Sequence, residues 1–358
     1  MASYPLVSVV MITYNHEQYI AQAIESVLQQ KTSFSFELVI GEDCSTDNTR
    51  EIVSEYQNKY PDVIRVITAE TNVGMHSNAL RVENSCRGKY IAYCEGDDHW
   101  HNPHKLQLQV DFLETNPDYV MVHGDHARCN VQTATTVNSC NNDHPQYDDG
   151  NAYFDILTTN RKICTLTVCV RKEALCEAVR NNPECANKHY KMGDLQRWLE
   201  VSRLGKVKYF NVSLGTYNVL MDSAVHGLDP NKEVQFDLSA KEIRYHYLSK
   251  YDCPKEVAVL TKYNCINGVL SSALRARNIE VGNSQLSELR AMNLQPSWTW
   301  KDYLVYLGCR YKRIGALQLW WESWSLSRRA SPPLKHPWYR MLIRYCCLPK
   351  SGRSGEVK

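Results

Sequence analysis

The first 123 residues alternate between short apolar runs and segments whose apolar positions recur at helical spacing. The run at residues 6–12 is rich in β-branched side chains and predicts a strand that is buried on both faces. Apolar positions from Ile20 to Leu28 then follow one face of a helix. Further runs of the first kind predict strands at residues 37–40, 63–67, 90–94 and 119–123.

Helices are predicted between these strands. Ser45 or Thr46 can cap the second helix, a third is expected near residues 78–86, and a fourth begins about Pro103. Such repeated alternation predicts a parallel sheet with helices on both faces. Ligands of a sheet of this kind lie beyond the carboxyl ends of its strands.

The pattern changes after residue 123. Residues 124–150 are rich in Asn, Asp, Thr and His, which predicts a long, partly mobile loop that crosses the site region. The other predicted elements are a strand at 165–170, helices at 172–179 and from 192, short strands at 207–210 and 213–217, and helical sequence over 231–294.

Three carboxylates, those of Glu95, Asp97 and Asp98, end the fourth predicted strand. Carboxylates crowded at a strand end repel one another and lose hydration, so a bound cation would stabilise them. Oxygen ligands favour Mg²⁺ or Mn²⁺ over Zn²⁺. The alternatives are an exposed Asp-Asp turn, or a mixed His/Asp metal site that uses the histidines at positions 99, 101 and 104, whose spacing does not place all three on one helix face.

Two other strand ends and one helix start have polar residues with more than one interpretation. Asp43 is either a partner of the following helix dipole or an acceptor for a nucleobase N–H such as uracil N3–H, with Tyr14 stacked on the ring. Asp194 is either an N-terminal helix charge or a general base.

Composition narrows the class of protein. Hydrophobic residues make up 43% and charged residues 22% of the chain, as in an ordinary globular protein. The sequence has no apolar run of about 18 residues and no signal-like N-terminus, so a cytoplasmic location is expected. Its fourteen cysteines are scattered, and those in apolar runs, such as Cys94, Cys169 and Cys176, are expected to be reduced core residues.

Several catalytic motifs are missing from the sequence. It has no G-x-G-x-x-G after the first strand, no G-x-x-x-x-G-K-[ST], no G-x-S-x-G and no H-E-x-x-H. These absences argue against dinucleotide oxidoreductases, P-loop NTPases, serine hydrolases and zincins.

Residues 301–358 contain twelve Lys or Arg against three acidic residues, and six of the eight Trp lie at or after position 298. Trp paired with basic residues recurs at membrane interfaces. We therefore predict peripheral contact of residues 297–358 with the inner face of an anionic membrane, with ordinary helical packing as the alternative. Nucleic acid is not an expected partner.

The motifs in the first third of the chain resemble those of family 2 glycosyltransferases of the bacterial polysaccharide type, which have the GT-A fold. The resemblance follows the family's order and spacing over residues 6–115 and extends through further short segments to about residue 226. The matching segments are residues 7–15, 42–49, 72–74, 88–92 and 95–98 with Trp100, Lys105 and Leu106, and then 165–167, Arg171, 193–194 and 205–206.

This resemblance implies roles for individual residues. The donor nucleotide would contact Thr13, Tyr14, Asn15, Glu17, Asp43, Asn72, Gly74, Asn78, Glu95 and Gly96. A Mg²⁺ or Mn²⁺ ion would bind Asp97 and Glu95, with Asp194 as the base. Supporting or acceptor-binding residues would be Asp98, Trp100, Thr165, Thr167 and His226.

The sequence departs from the family pattern in two places. Glu95 stands where the family's metal motif usually begins with Asp. Where the family often has Tyr-Arg-x-His, residues 217–220 are Tyr-Asn-Val-Leu. His226 is therefore the candidate to take the place of the histidine that the family pattern has there.

The expected architecture is a GT-A domain at residues 1–226 and a helical C-terminal region at 227–358. Within the domain, residues 1–123 form the nucleotide-sugar half and 124–226 the acceptor half. The implied function is an inverting, metal-dependent transfer from a nucleotide sugar, a UDP-sugar by preference, to a saccharide or lipid-linked saccharide in O-antigen, capsule or related polysaccharide synthesis.

Two alternatives remain open at this stage. A sugar nucleotidyltransferase would favour a Gly-rich basic loop after the first strand, which residues 13–17 lack. The second is a catalytically silent scaffold that binds nucleotide or polysaccharide, and the acidic residues at positions 95, 97 and 194 argue against it.

Overall fold

The structure, a computed structural model, describes residues 4–140, 147, 149–159, 161–183, 190–220 and 229–292. Its first half alternates strands and helices as the apolar pattern predicts. The strands are β1 (Val7–Thr13), β2 (Phe36–Glu42), β3 (Ile64–Thr68) and β4 (Tyr90–Tyr93). The helices are α1 (Ile20–Leu28), α2 (Thr49–Lys59), α3 (Met75–Ser85) and α4 (Lys105–Thr115).

One mixed sheet organises the described residues. Its first four strands are parallel in the order β3-β2-β1-β4. The strands that follow in the chain are β5 (Tyr119–Asn130), β6 (Thr135–Val137), β7 (Cys169–Arg171) and β8 (Lys206–Val219). Strand β7 lies antiparallel between β4 and β5, and β8 runs parallel to β5. The predicted GT-A type of fold, a mostly parallel sheet with helices on both faces, is confirmed.

Helices cover both faces of this sheet because consecutive residues of each buried strand point to opposite sides. Val9 and Met11 of β1 pack in one hydrophobic cluster with Ile24 of α1, whereas Val10 packs in a second cluster. That second cluster includes Trp198 of α7 (Gly193–Leu204). The remaining helices are α5 (Ala152–Leu157), α6 (Lys172–Asn181), α7 (Gly193–Leu204), α8 (Pro230–Lys250), α9 (Lys255–Arg275) and α10 (Ile279–Ala291).

The acceptor-half predictions need correction. The loop predicted at 124–150 is wrong where β5 continues to Asn130 and where β6 forms. The polar residues of this strand gave no apolar pattern from which it could be predicted. In the structure they are satisfied by hydrogen bonds within the protein: the Asp125 carboxylate accepts from the Ser139 hydroxyl and the Cys140 N–H. The two short strands predicted at 207–217 are one strand, β8, with an irregularity in its pairing between Phe210 and Ser213.

Three smaller predictions are also corrected. Neither Ser45 nor Thr46 caps α2, which begins after Asn48. Residues Thr165–Thr167 form a 3₁₀ turn, so the strand expected at 165–170 is limited to β7. Helix α5 was not predicted. Cys94 and Cys169 are buried free thiols as expected, whereas Cys176 is exposed on α6.

The helical C-terminal region begins as predicted with α8, which shares the second hydrophobic cluster through Ile243 and Tyr247. The Tyr247 hydroxyl accepts a hydrogen bond from Asn182 Nδ2 at 2.6 Å. The division at residue 226 stays a prediction. The proposed membrane contact at 297–358 lies outside the described residues, and among those described no helix combines the length and apolarity that crossing a bilayer requires.

Candidate active site

A cleft of about 1120 Å³ opens at the carboxyl ends of β1, β2 and β4. The expectation that polar strand ends converge on one edge of the sheet is thereby confirmed. Most of the residues named from the sequence line this cleft: Thr13, Tyr14, Asn15, Glu17, Asp43, Asn72, Asn78, Glu95, Asp97, Asp98, Thr165 and Asp194.

Gly96 brings the acidic turn close to the end of β1. Its N–H donates to the Ile12 carbonyl at 3.0 Å. A Cβ on Gly96 would lie 2.7 Å from Thr13 Oγ1, so any larger residue would push the turn away from the strand. Glu95 and Asp97 therefore sit on either side of a contact that only glycine permits.

Asp98 anchors this turn to strand β8. Asp98 is 3% exposed, and its Oδ1 accepts from the Asn218 N–H at 2.8 Å. Asn218 Nδ2 in turn donates to the Asp97 carbonyl at 2.6 Å. Burial first, and then the charges of Asp97 and Glu95, raise the pKa of Asp98 well above its usual range. Asp98 thus supports the turn, and Asn218 is a residue that sequence analysis missed.

Glu95 and Asp97 concentrate negative charge inside the cleft. Burial raises the pKa of Glu95 to about 8, with further contributions from the charges of Asp97 and Asp194. Asp194 lines the same cleft as the acidic turn. A cation would relieve this repulsion.

The donor set fits Mg²⁺ or Mn²⁺. Both side chains offer carboxylate oxygens, and no described group of three or more His, Cys, Asp or Glu could hold a metal by itself. Mg²⁺ typically binds one or two carboxylates together with substrate phosphates and water, and does not need a cage made only of protein. Two carboxylates in an open cleft match that requirement.

The neighbouring histidines contact other parts of the protein. The His99 N–H donates to the Thr216 carbonyl at 3.3 Å, and His101 Nδ1 lies 3.0 Å from Thr216 Oγ1. His104 is the N-cap residue of α4. All three histidines therefore take part in the packing of the loop between β4 and α4.

Asp43, another lining residue of the cleft, holds the loop that precedes α3. Its Oδ1 accepts from the Val73 N–H and its Oδ2 from the Gly74 N–H, each at 2.9 Å. Gly74 has φ +84°, a conformation that favours glycine. Each carboxylate oxygen retains a second lone pair for another donor. Tyr14 is 41% exposed nearby, also on the lining of the cleft.

Asn15 and Glu17 tie two loops together at the rim of the cleft. Asn15 Oδ1 accepts from the Thr46 N–H at 2.8 Å, and Glu17 Oε2 accepts from Asn48 Nδ2 at 2.8 Å. The side chain of Asn78, also on the lining, donates from Nδ2 to the Gly41 carbonyl at 2.8 Å. These three side chains shape the cleft through contacts within the protein.

Asp194 lies in the first turn of α7, and its Oδ2 accepts from Thr165 Oγ1 at 2.9 Å. Trp100 and Thr167 are buried and do not line the cleft. Trp100 Nε1 donates to the Leu166 carbonyl at 3.0 Å, and Thr167 Oγ1 donates to the Cys164 carbonyl at 2.8 Å. Both hold the turn that presents Thr165 to Asp194.

Sequence analysis missed several residues of the lining, including His76, Lys191, Arg197, Tyr217 and Phe236. Lys191 lies three positions before Asp194, so proximity in sequence was an available signal. The others are brought in by tertiary packing. His226 lies outside the described residues.

The fold and the acidic edge of the sheet define the class: an α/β protein of the GT-A type. Residues 8–174 match the family model described as glycosyl transferase family 2. Over those residues, which are just under half of the chain, the sequence is similar to the family 2 glycosyltransferases.

Known proteins similar to the chain match only part of it in sequence. An uncharacterized protein of Mycobacterium tuberculosis is 44% identical over 111 residues, which are 31% of this chain and 32% of that protein. The putative teichuronic acid biosynthesis glycosyltransferase TuaG of Bacillus subtilis is 37% identical over 109 residues, 30% of this chain and 42% of TuaG. The matches thus span less than half of these relatives.

A solved structure extends the similarity in fold. It is the mannosyltransferase PcManGT from Pyrobaculum calidifontis, in complex with GDP-Man and Mn²⁺. The TM-score is 0.54 at 13% identity, with 90% of this chain and 88% of that chain covered. The likeness concerns the fold.

Proposed function

We propose that this protein is an inverting, metal-dependent glycosyltransferase that moves a sugar from a nucleotide sugar, preferably a UDP-sugar, to a saccharide or lipid-linked saccharide. One observation supports this above all. Glu95, Asp97 and Asp194 share a single cleft with the base-binding candidates Tyr14 and Asp43.

The donor half of the site supports a nucleotide. Tyr14 offers an exposed ring on which a base can stack, and the Asp43 carboxylate offers lone pairs to a base N–H. Both features suit uracil, whose N3–H is a donor. The Asn72–Gly74 segment, fixed by Asp43, would form the adjoining wall.

The acidic turn supports the diphosphate end of the donor. Glu95 and Asp97 would hold Mg²⁺ or Mn²⁺, and enzymes of this fold commonly use divalent metals. A cation bound there would offset the negative charge that the nucleoside diphosphate gains as it leaves.

Asp194 would accept the proton of the attacking hydroxyl. The acceptor oxygen then forms its bond to the anomeric carbon as the bond from that carbon to the diphosphate breaks. Attack from the opposite face inverts the anomeric configuration. The Thr165 hydrogen bond occupies Oδ2 and leaves Oδ1 available to the acceptor.

Apolar side chains on the lining of the cleft support an acceptor with an apolar portion. Ile163 and Met192 flank Thr165 and Asp194 in sequence, and Phe236 and Leu220 also line the cleft. A lipid-linked saccharide fits that character. The similarity to TuaG supports cell-surface polysaccharide synthesis, such as that of O-antigen or capsule, as the pathway.

A panel of nucleotide sugars, each incubated with the full chain, Mn²⁺ and saccharide acceptors, tests this function. We expect release of nucleoside diphosphate with one donor, and NMR of the product should show an inverted anomeric centre. Release of pyrophosphate from a nucleoside triphosphate and a sugar phosphate would instead indicate a nucleotidyltransferase. Donor binding with no turnover across the panel would favour the silent scaffold.

Tyr14→Ala is expected to raise the KM for the donor about fivefold to 150-fold, because base–aromatic stacking contributes about 1–3 kcal/mol. Tyr14→Phe keeps the ring and should stay within about twofold of wild type. Since Tyr14 is exposed, neither substitution should change the melting temperature appreciably. Equal KM values for the Ala and Phe variants would contradict stacking on Tyr14.

A further inference from the structure

His76 connects the donor half of the cleft to the helix that presents Asp194. It lies in the first turn of α3, 114 positions before its partner Tyr190. His76 Nε2 is 3.0 Å from the Tyr190 carbonyl oxygen. Because a carbonyl can only accept, Nε2 must carry the proton, and the ring orientation is thereby fixed.

The adjacent Nδ1–Cε1 edge of the same ring packs against Gly193. A Cβ on Gly193 would lie 2.3 Å from both Cε1 and Nδ1 of His76. Carbon and nitrogen atoms do not approach so closely without displacement, so glycine is required for this contact. Gly193 is the first residue of α7, and Asp194 is the second.

The His76 ring is also close in sequence to the loop held by Asp43. Gly74, whose N–H donates to Asp43 Oδ2 at 2.9 Å, is two residues before His76. A hydrogen bond joins Asp43 to Gly74, two residues of backbone join Gly74 to His76, and packing joins His76 to Gly193. The two ends of this connection are the candidate base-binding carboxylate and the start of the helix that presents the candidate general base.

We propose that His76 is a positioning residue that couples donor binding at Asp43 to the placement of Asp194. This inference rests on the proposed function. A nucleotide that engages Asp43 acts on the carboxylate that holds the Asn72–Gly74 loop, and the His76 ring then sets the position of the α7 N-terminus. The consequence is that Asp194 reaches its working position when the donor is bound.

His76→Ala tests this coupling. We expect kcat for transfer to fall about tenfold to a hundredfold, because a misplacement of about 1 Å at a reacting group can cost that much. The donor Kd, measured by calorimetry, should remain within about threefold of wild type. His76→Gln keeps a side-chain N–H that can reach the Tyr190 carbonyl, so it should recover most of the lost kcat.

A double-substitution experiment separates coupling from general damage. Gly193→Ala should lower kcat by itself, because the new methyl group collides with the ring. In the His76→Ala background that space is empty, so His76→Ala/Gly193→Ala should be no slower than His76→Ala. Non-additivity of this kind would support direct contact between the two residues.

The inference would be overturned if the two substitutions multiplied their effects on kcat. It would also be overturned if His76→Ala left kcat unchanged, or if His76→Gln gave no recovery while both variants lost donor affinity and melted early. Gly193→Ala and His76→Gln keep the test decisive should His76→Ala fail to fold. Failure of the proposed function has a different signature, which is that the unsubstituted chain releases no nucleoside diphosphate from any nucleotide sugar of the panel.

Discussion

Asp194→Asn is expected to lower kcat for sugar transfer by about 10²- to 10⁴-fold, the usual contribution of a positioned general base. The amide has almost the same shape as the carboxylate but cannot take up a proton at neutral pH. Its oxygen can still accept the Thr165 hydrogen bond, so the local structure should persist. Rapid-quench measurement of product formation gives kcat, and calorimetry gives the donor Kd, which should be unchanged.

Asp111→Asn is the matched control, because it makes the same chemical change at an exposed position of α4 away from the cleft. It should behave as wild type. Transfer at the wild-type rate in Asp194→Asn would remove this residue from the mechanism. Loss of donor binding in the same variant would instead assign Asp194 to the donor site.

The first half of the fold could be predicted because its strands are buried on both faces. Apolar runs such as the one in β1 have few polar residues to obscure their period, and their helices have one apolar face each. The acceptor half lacks that signal. In β5, buried polar residues such as His123 and Asp125 interrupt the apolar pattern, although each occupies a strand position.

Those residues of the candidate site whose positions follow from the sheet topology could be predicted from the sequence. The carboxyl ends of parallel strands meet at one edge, so Thr13, Asp43 and Glu95 follow from the order of elements. His76 and Asn218 could not be found in this way. Their partners are 114 and 120 positions distant, respectively, and nothing in local spacing encodes such contacts.

Close packing around glycine also escapes sequence analysis. Gly96 belongs to a recognisable motif, but the reason for glycine is the Thr13 side chain of another strand. Gly193 likewise suggests an ordinary helix start until the His76 ring is seen beside it. At both positions glycine is required because a side chain from a distant part of the sequence packs against the backbone.

Asp97→Ala is expected to reduce metal-dependent transfer at least about a hundredfold, since charge stabilisation at such a site is worth several kcal/mol. The substitution leaves Glu95 as the remaining candidate ligand. It also removes a charge that repels Glu95 and Asp98. In EDTA the variant should therefore melt at the same temperature as wild type or higher, while it loses catalysis.

Donor titrations with and without Mn²⁺ provide the measurement. Wild type should bind the nucleotide sugar more tightly with Mn²⁺, and Asp97→Ala should show no such difference. Asp98→Asn is the control, because the amide oxygen can still accept from the Asn218 N–H and burial already raises the pKa of Asp98. This variant should melt at the wild-type temperature or higher and keep the response to Mn²⁺. If Asp97→Ala retained that response, the cation would have to be held by other groups, and the roles of Asp97 and Glu95 as ligands would be wrong.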